Sequence, residues 1–298
     1  MNQHNFTTLR DLLRYAITRF NRAQLFFGHG SDNAFDEAAY LLLHTLALPL
    51  DRLDPFLDAR LLPDEIEALL AVIARRADQR IPAAYITQEA WLGNSRFYVD
   101  ERVIVPRSFL AELIPEQFAP WLRVTEADSV SHILDLCTGS GCLPVLLADA
   151  FPQAQIDAVD ISASALEVAQ RNIDEYQLQQ RIQLFESDLY TQLPAQRYDL
   201  IISNPPYVNA DSMSRLPPEY QCEPQIALAG GDDGMDLVRK IVAGAASRLT
   251  DDGLLIVEIG HECAYAEAAF PGMELTWLST SGGDNMVFLL TAQQLKQI

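Results

Sequence analysis

Apolar residues recur at helical spacing through roughly the first quarter of the chain, then give way to short apolar runs alternating with helical segments. Leu9, Leu12, Leu13, Ala16, Ile17 and Phe20 form one face of a first helix, which Gly28-His29-Gly30 interrupts. Asp36 to Leu46 carries a second apolar pattern, with Asp36 as its candidate start. Pro63-Asp64-Glu65 opens a third helix, because proline is tolerated in a first turn and acids suit the positive end of the helix dipole. Leu69, Leu70, Ile73, Ala74 and Ala77 continue its apolar side. Phe97-Tyr98-Val99 and Val103-Ile104-Val105, flanking Asp100-Glu101-Arg102, predict a short hairpin.

Beyond that hairpin the pattern is that of αβ units. Strands are expected at Ile133 to Leu136, Ala154 to Val159, Ile182 to Phe185, Tyr198 to Ser203 and Leu254 to Ile259, with a weaker one at Glu274 to Leu278 and a last at Met286 to Leu290. A helix is expected from Met235 to Leu249. The fold class is α/β, divided into an amino-terminal helical domain (1–95), a hairpin linker (96–107) and an α/β domain (108–298). The helices most simply form a substrate-recognition domain; a packing appendage or a dimer surface are the other readings. Asp211 to Asp233, with Pro217-Pro218 and Gly230-Gly231, is a long irregular excursion expected to border a substrate loop and exclude water.

The chemistry-bearing residues fall at the ends of the predicted strands. Ile133-Leu134-Asp135-Leu136 runs into Cys137-Thr138-Gly139-Ser140-Gly141, a turn whose glycines permit close approach of a ligand to the backbone. The second strand ends in Asp160, placed to accept from ribose hydroxyls; the alternative is a helix cap, for which Ser162 already suffices. The third runs into Asp188-Leu189, where an acid accepts from an adenine amino group and a leucine packs on the ring, or where a plain turn lies. Position 144 is Pro144 in place of a third glycine, and no Gly-Lys-Ser/Thr phosphate cradle exists, so an adenosine without pyrophosphate fits better than a dinucleotide. The economical cofactor is S-adenosyl-L-methionine. The fourth strand empties into Asn204-Pro205-Pro206-Tyr207, where two prolines stiffen the loop and push Asn204 out of helical dihedrals.

Composition narrows the partners. The chain has 298 residues, with 21 basic and 41 acidic side chains and a formal net charge of −20. Such a surface repels nucleic-acid backbone and attracts basic protein. Lys240 and Lys296 are the only lysines. No apolar run approaches membrane-spanning length, and the amino terminus lacks the pattern of a secretory signal, so a cytoplasmic location is expected. Cys137, Cys142, Cys222 and Cys263 form no close ligand pairs; they are expected to be reduced and structural, with no metal.

Asp135-Leu136-Cys137-Thr138-Gly139-Ser140-Gly141 followed by Asn204-Pro205-Pro206-Tyr207 resembles the class I S-adenosylmethionine-dependent methyltransferases, and within them the protein-(glutamine) methyltransferases. The resemblance covers nearly the whole chain and implies a Rossmann-like, mixed seven-stranded sheet with the last strand antiparallel. One branch of that family modifies the Gly-Gly-Gln loop of peptide-chain release factors; the other modifies a glutamine of the third protein of the large ribosomal subunit. The release-factor branch usually carries Pro-Arg-Pro-Asp-Thr-Glu where this chain has Val105-Pro106-Arg107-Ser108-Phe109-Leu110-Ala111-Glu112. That departure, with Gly28-His29-Gly30-Ser31-Asp32-Asn33 and the Asp135-Leu136-Cys137-Thr138 form, favours the ribosomal-protein branch, a basic partner, and leaves the release factor as alternative.

The resemblance implies roles. Thr138, Gly139, Ser140 and Gly141 line the cofactor's methionine and ribose side, Asp135 belongs to the cofactor site, Asp160 takes the ribose hydroxyls, and Asp188 and Leu189 take the adenine region. Asn204, which also borders the cofactor, holds the substrate amide through its side chain, Pro205 through its backbone carbonyl; Pro206 and Tyr207 pack around it. Arg107 either contacts the peptide substrate or forms an interdomain ion pair. Asn-Pro-Pro-Tyr also resembles the motif of DNA adenine-amino methyltransferases, but those need a basic track for phosphate that is missing here. A nonenzymatic adenosine-binding or ribosome-assembly module would keep the glycine turn and Asp160 but need neither Asn204 nor an open channel to the sulfur.

Overall fold

The structure, a computed structural model, describes residues 6–122 and 130–297. The chain divides into two compact units. One comprises the residues up to Ala90 with Val99–Glu101 and Pro217–Cys222; the other comprises Trp91–Tyr98, Arg102–Leu216 and the chain from Glu223 onward.

The first unit is helical, with helices at Leu9–Arg22, Ala34–Thr45, Pro63–Gln79 and Ala83–Thr87. Thr8 and Asp11 form a reciprocal capping box that starts the first helix. Asn33 accepts from the amides of Phe35 and Asp36, so the second helix begins ahead of Asp36: a better cap lay upstream of the expected start. Leu9, Leu12, Ala16 and Phe20 bury their expected face against Leu41, Leu42, Leu69 and Ile73, each large side chain contributing about 1.5–3 kcal/mol. Arg76 is 1 % exposed in this core. Its guanidinium donates to Glu37 at 2.6 Å and to Glu219 at 3.3 Å, and Arg80 donates to Glu219 at 3.1 Å. Glu219 thereby joins Pro217–Cys222, part of the irregular excursion, to the helices.

A hairpin follows, but not where the apolar runs suggested. Strands β1 (Glu89–Leu92) and β2 (Ser95–Tyr98) pair across Gly93-Asn94. Gly93 has φ 60°, the positive φ that a two-residue hairpin turn requires at its first position. Phe97 and Tyr98 fall in β2, but Val99, Val103 and Val105 are buried without belonging to a strand, so the second arm of the expected hairpin reflects burial and not pairing.

The second unit is built on a seven-stranded sheet of β3 (His132–Leu136), β4 (Gln155–Asp160), β5 (Ile182–Glu186), β6 (Tyr198–Ser203), β7 (Leu249–Glu258), β8 (Thr276–Thr280) and β9 (Gly283–Thr291), in the spatial order β5-β4-β3-β6-β7-β9-β8. Strands β3 to β7 run parallel, and β9 is antiparallel to β7 and β8. β7 starts at Leu249, earlier than expected, because its exposed Asp251 and Asp252 hid its first half from an apolar count. The preceding helix is correspondingly shorter, Asp236–Ala245. Helices on both faces cover the central strands: Cys142–Ala150 and Ala163–Glu175 pack in one core, Asp236–Ala245 in the other.

Strand order reverses at β3, from which the chain winds to β4 and β5 on one side and then returns to β6 on the other. In register, Leu136 lies opposite both Val159 and Ser203, and Ser203 lies opposite Val257. The carboxyl ends of four parallel strands are therefore level, and the loops leaving them open onto one crevice, the usual ligand position in such sheets. Among the described residues no helix is long and apolar enough to cross a membrane.

Candidate active site

A cavity of about 280 Å³ lies in that crevice. Gly139, Asp160, Asp188, Leu189, Asn204 and Pro206 all line it, so residues predicted from four separate strand ends meet at one place. Apolar walls come from Val103, Ile104, Ile226, Ala227, Ala229 and Leu237.

The turn after β3 is held by its own backbone. Thr138 N donates to Val159 O at 2.9 Å, and Gly141 N donates to Thr138 O at 3.0 Å. Gly139 and Gly141 have φ of 54° and 75°, and Cys137, which lacks their freedom, is also left-handed at 62°. Asn172, fully buried, braces the turn from the following helix: its side-chain amide donates to Ser140 O at 2.8 Å and to Tyr98 O at 3.0 Å while accepting from Tyr98 N at 2.8 Å. An asparagine on the apolar face of a predicted helix was the only signal that could have revealed it.

Asp160 accepts from Gly139 N and Ser162 N, both at 2.9 Å, leaving lone pairs on both oxygens. Ser162, not Asp160, caps the next helix through Ala165 N. Burial raises the Asp160 carboxyl above the usual carboxylate range. Asp188 is exposed at the cavity, and Leu189 beside it is buried with φ 51°. Asp135 does not line the cavity. It is wholly buried beneath the turn beside the Thr138 hydroxyl, and neither group makes a hydrogen bond of good geometry. Burial, opposed by the Thr138 hydroxyl and reinforced by the charge of Asp160, pushes the Asp135 carboxyl up to about 8.

On the opposite side, Asn204 Nδ2 donates to the Arg107 carbonyl at 3.2 Å. A carbonyl only accepts, so this bond fixes which end of the amide is nitrogen and leaves Oδ1 as acceptor. Pro205 is buried behind it. Tyr207 packs its ring on Gly260, where a Cβ would lie 2.7 Å from the ring. The Arg107 guanidinium is engaged by Glu223, with both nitrogens donating at 2.6 Å; both residues lie in the second unit, so this is not the interdomain pair that was the alternative. Glu223 also accepts from Val105 N at 2.9 Å. Glu258, at the end of β7, accepts from Ser108 Oγ at 2.5 Å and from Leu110 N at 3.4 Å. Burial pushes Glu258 up to about 7 against the lowering effect of the Ser108 hydroxyl. Neither acid was identifiable beforehand, because each is far from Arg107 in sequence.

The excursion after Tyr207 returns to the site. Val208 N donates to Leu228 O and Gly230 N to Val208 O, both at 2.9 Å, which carries Ile226, Ala227 and Ala229 into the cavity wall.

This sheet order, with the antiparallel β9 and a cavity at the switch point, is the fold of the class I methyltransferases. The fold is similar to that of the hMettl16 catalytic domain in complex with MAT2A 3'UTR hairpin 6, with a TM-score of 0.50 at 14 % identity over 78 % of this chain and 84 % of that one. The family described as "Methyltransferase small domain" matches residues 119–216. Over nearly its whole length the chain is similar to proteins named ribosomal protein uL3 glutamine methyltransferase. That of Burkholderia pseudomallei is 61 % identical over 98 % of this chain and 97 % of its own. That of Bordetella pertussis is 57 % identical over 99 % and 98 %, and that of Neisseria gonorrhoeae 58 % over 97 % and 96 %. The chain belongs to the ribosomal protein uL3 glutamine methyltransferase family.

Proposed function

We infer that this enzyme transfers a methyl group from S-adenosyl-L-methionine to the side-chain amide nitrogen of a glutamine in ribosomal protein uL3. The observation that carries the chemistry is the fixed Asn204 amide, whose acceptor oxygen is left available at the rim of a cavity suited to an adenosine. The kinship with uL3 methyltransferases over the full chain supplies the substrate.

The residues present suit the cofactor. Asp160 retains lone pairs for ribose hydroxyls, Asp188 is an exposed acceptor for an exocyclic amine, and Leu189 with Ile226 and Ala227 offers apolar contact for a ring. When bound, S-adenosyl-L-methionine supplies an electrophilic methyl group and keeps the electron pair of the broken carbon–sulfur bond.

The protein's part is positioning. An amide nitrogen is a weak nucleophile because its lone pair is delocalised into the carbonyl. Asn204 Oδ1 and the Pro205 carbonyl accept its two hydrogens, localise density on nitrogen and aim it in line. Reacting atoms held about 3–3.5 Å apart obtain much of their acceleration from such placement. Pro206 and Tyr207 pack around the amide, and the surplus proton passes to solvent, so no dedicated base is needed. Arg107 serves the substrate loop through its carbonyl. The amino-terminal helices (1–95), joined through 96–107 to the methyltransferase domain (108–298), recognise the basic substrate.

The test offers labelled S-adenosyl-L-methionine to the enzyme with free uL3, with release factor and with adenine-bearing DNA, and locates the label by mass spectrometry. Methylglutamine on uL3 alone, lost in Asn204→Ala, is the expected result. Label on release factor would overturn the substrate, and label on adenine would overturn the protein-glutamine chemistry.

A further inference from the structure

Asn204 bears on catalysis only if its carboxamide keeps one orientation. A flip would present the NH2 group to a substrate NH2 group, donor against donor. What fixes the orientation is a single backbone oxygen, that of Arg107. The position of that oxygen depends in turn on the segment 105–110, which lies in no strand up to Phe109 and begins a short helix at Leu110. A segment without a ladder of its own needs other anchors.

Two buried acids supply them, one on each side of Arg107. Glu223, whose side chain is 0 % exposed, receives Val105 N and the two terminal guanidinium nitrogens of Arg107, and Arg107 Nη1 also donates to Val105 O at 3.1 Å. Glu258, 2 % exposed, receives Ser108 Oγ and Leu110 N. The acids come from the excursion beyond the Asn-Pro-Pro-Tyr loop and from the end of β7, the strand beside the one that carries Asn204. We propose that Glu223 and Glu258 are positioning residues for methyl transfer, which hold the Arg107 carbonyl in place and thereby keep the Asn204 oxygen turned to accept from the substrate.

The inference rests on the reading of Asn204 under the proposed function. Its test uses the full chain, with Glu223→Gln, Glu258→Gln and Ser108→Ala; the last removes only a hydroxyl from a partly exposed side chain and keeps a folded variant in hand. Calorimetric titration with S-adenosylhomocysteine counts binding-competent sites, and turnover on uL3 is expressed per site. The expected result is a kcat per site lower by between about tenfold and a hundredfold, as for misplaced reacting groups, with the S-adenosylhomocysteine Kd changed by less than about threefold. Ser108→Thr, which restores the hydroxyl, should recover most of the loss seen in Ser108→Ala. A normal kcat per site, with only Tm or the number of competent sites reduced, would make these acids purely structural and overturn the proposal. Asn204→Ala is run alongside. Turnover retained in that variant sinks the reading of Asn204 itself, whereas turnover lost there but kept in the acid variants sinks the positioning role alone.

Discussion

On the β3–β4 side of the cavity, Gly139 and Asp160 meet through one hydrogen bond between residues 21 apart in sequence, and Ser162 lies two residues beyond Asp160. On the β6 side, Asn204 reaches Arg107 across 97 residues, Arg107 reaches Glu223 across 116, and Ser108 reaches Glu258 across 150. The first side is made mostly of backbone amides and turn dihedrals, the second of buried side-chain charges from distant elements. Backbone sites depend on local geometry that the strand–turn–helix unit already imposes. Side-chain sites depend on the whole sheet being assembled first. Asn172 apart, which braces the glycine turn, the proposed cofactor half should thus tolerate changes to distant residues, while the proposed substrate half should not.

The sharpest way to break this contrast is Asn204→Ala. If the β6 side acts in the transition state, kcat on uL3 should fall by about 10³-fold, the scale of losing a preorganised polar partner. S-adenosylhomocysteine affinity, belonging to the other side, should change by less than about threefold. Loss of affinity equal to the loss of rate would merge the two halves into one site. Asp160→Ala should do the reverse. It removes the proposed ribose acceptor and leaves Gly139 N and Ser162 N without their partner. Two charge-assisted hydrogen bonds correspond to a cofactor Kd weaker by about 10²-fold, with kcat at saturating cofactor close to wild type.

The same difference explains what could be read from residues alone. Gly139, Asp160, Asp188, Leu189 and Asn204 were legible because each follows an apolar strand, and parallel strands bring such ends together. Asn172 was hidden because a buried amide on a helix face looks like any polar interruption of an apolar pattern. Glu223 and Glu258 were hidden because the need for a buried carboxylate arises only once Val105 N, Arg107 and Ser108 are brought near them. The hairpin was misplaced for a related reason. Val99, Val103 and Val105 are buried, but they belong to no strand, and period-two apolarity reports burial, not pairing.

A smaller effect separates the loop from its support. Gly260 has φ 52°, and a Cβ there would meet the Tyr207 ring at 2.7 Å. Gly260→Ala should therefore cost about 1–3 kcal/mol of stability through overpacking and backbone strain, visible as a lower Tm. Because Tyr207 is part of the β6 loop, kcat should fall with it while cofactor affinity holds. Equal Tm values for variant and wild type would show that the Tyr207 ring swings aside freely and is not a fixed wall.

The buried carboxyl beneath the glycine turn offers a separate test, read through pH. Asp135 makes no hydrogen bond of good geometry, and burial, against the Thr138 hydroxyl, carries its carboxyl to about 8, far above the value of an unfolded chain. Between those two values the folded protein holds a proton that the unfolded chain has released. Stability must then fall as pH rises, by at most about 1.4 kcal/mol per pH unit, and the fall ends above the folded value. Asp135→Asn has no proton to lose. Its stability relative to wild type should climb from pH 5 to pH 8 in denaturant titrations and then level off. Asp160 and Glu258, also raised by burial, are present in both proteins, so their contributions largely cancel in the difference. A flat difference across that range would mean that Asp135 is ionised in the folded state, with its charge balanced by donors beneath the turn, and the β3 side would then be a side-chain site like its counterpart.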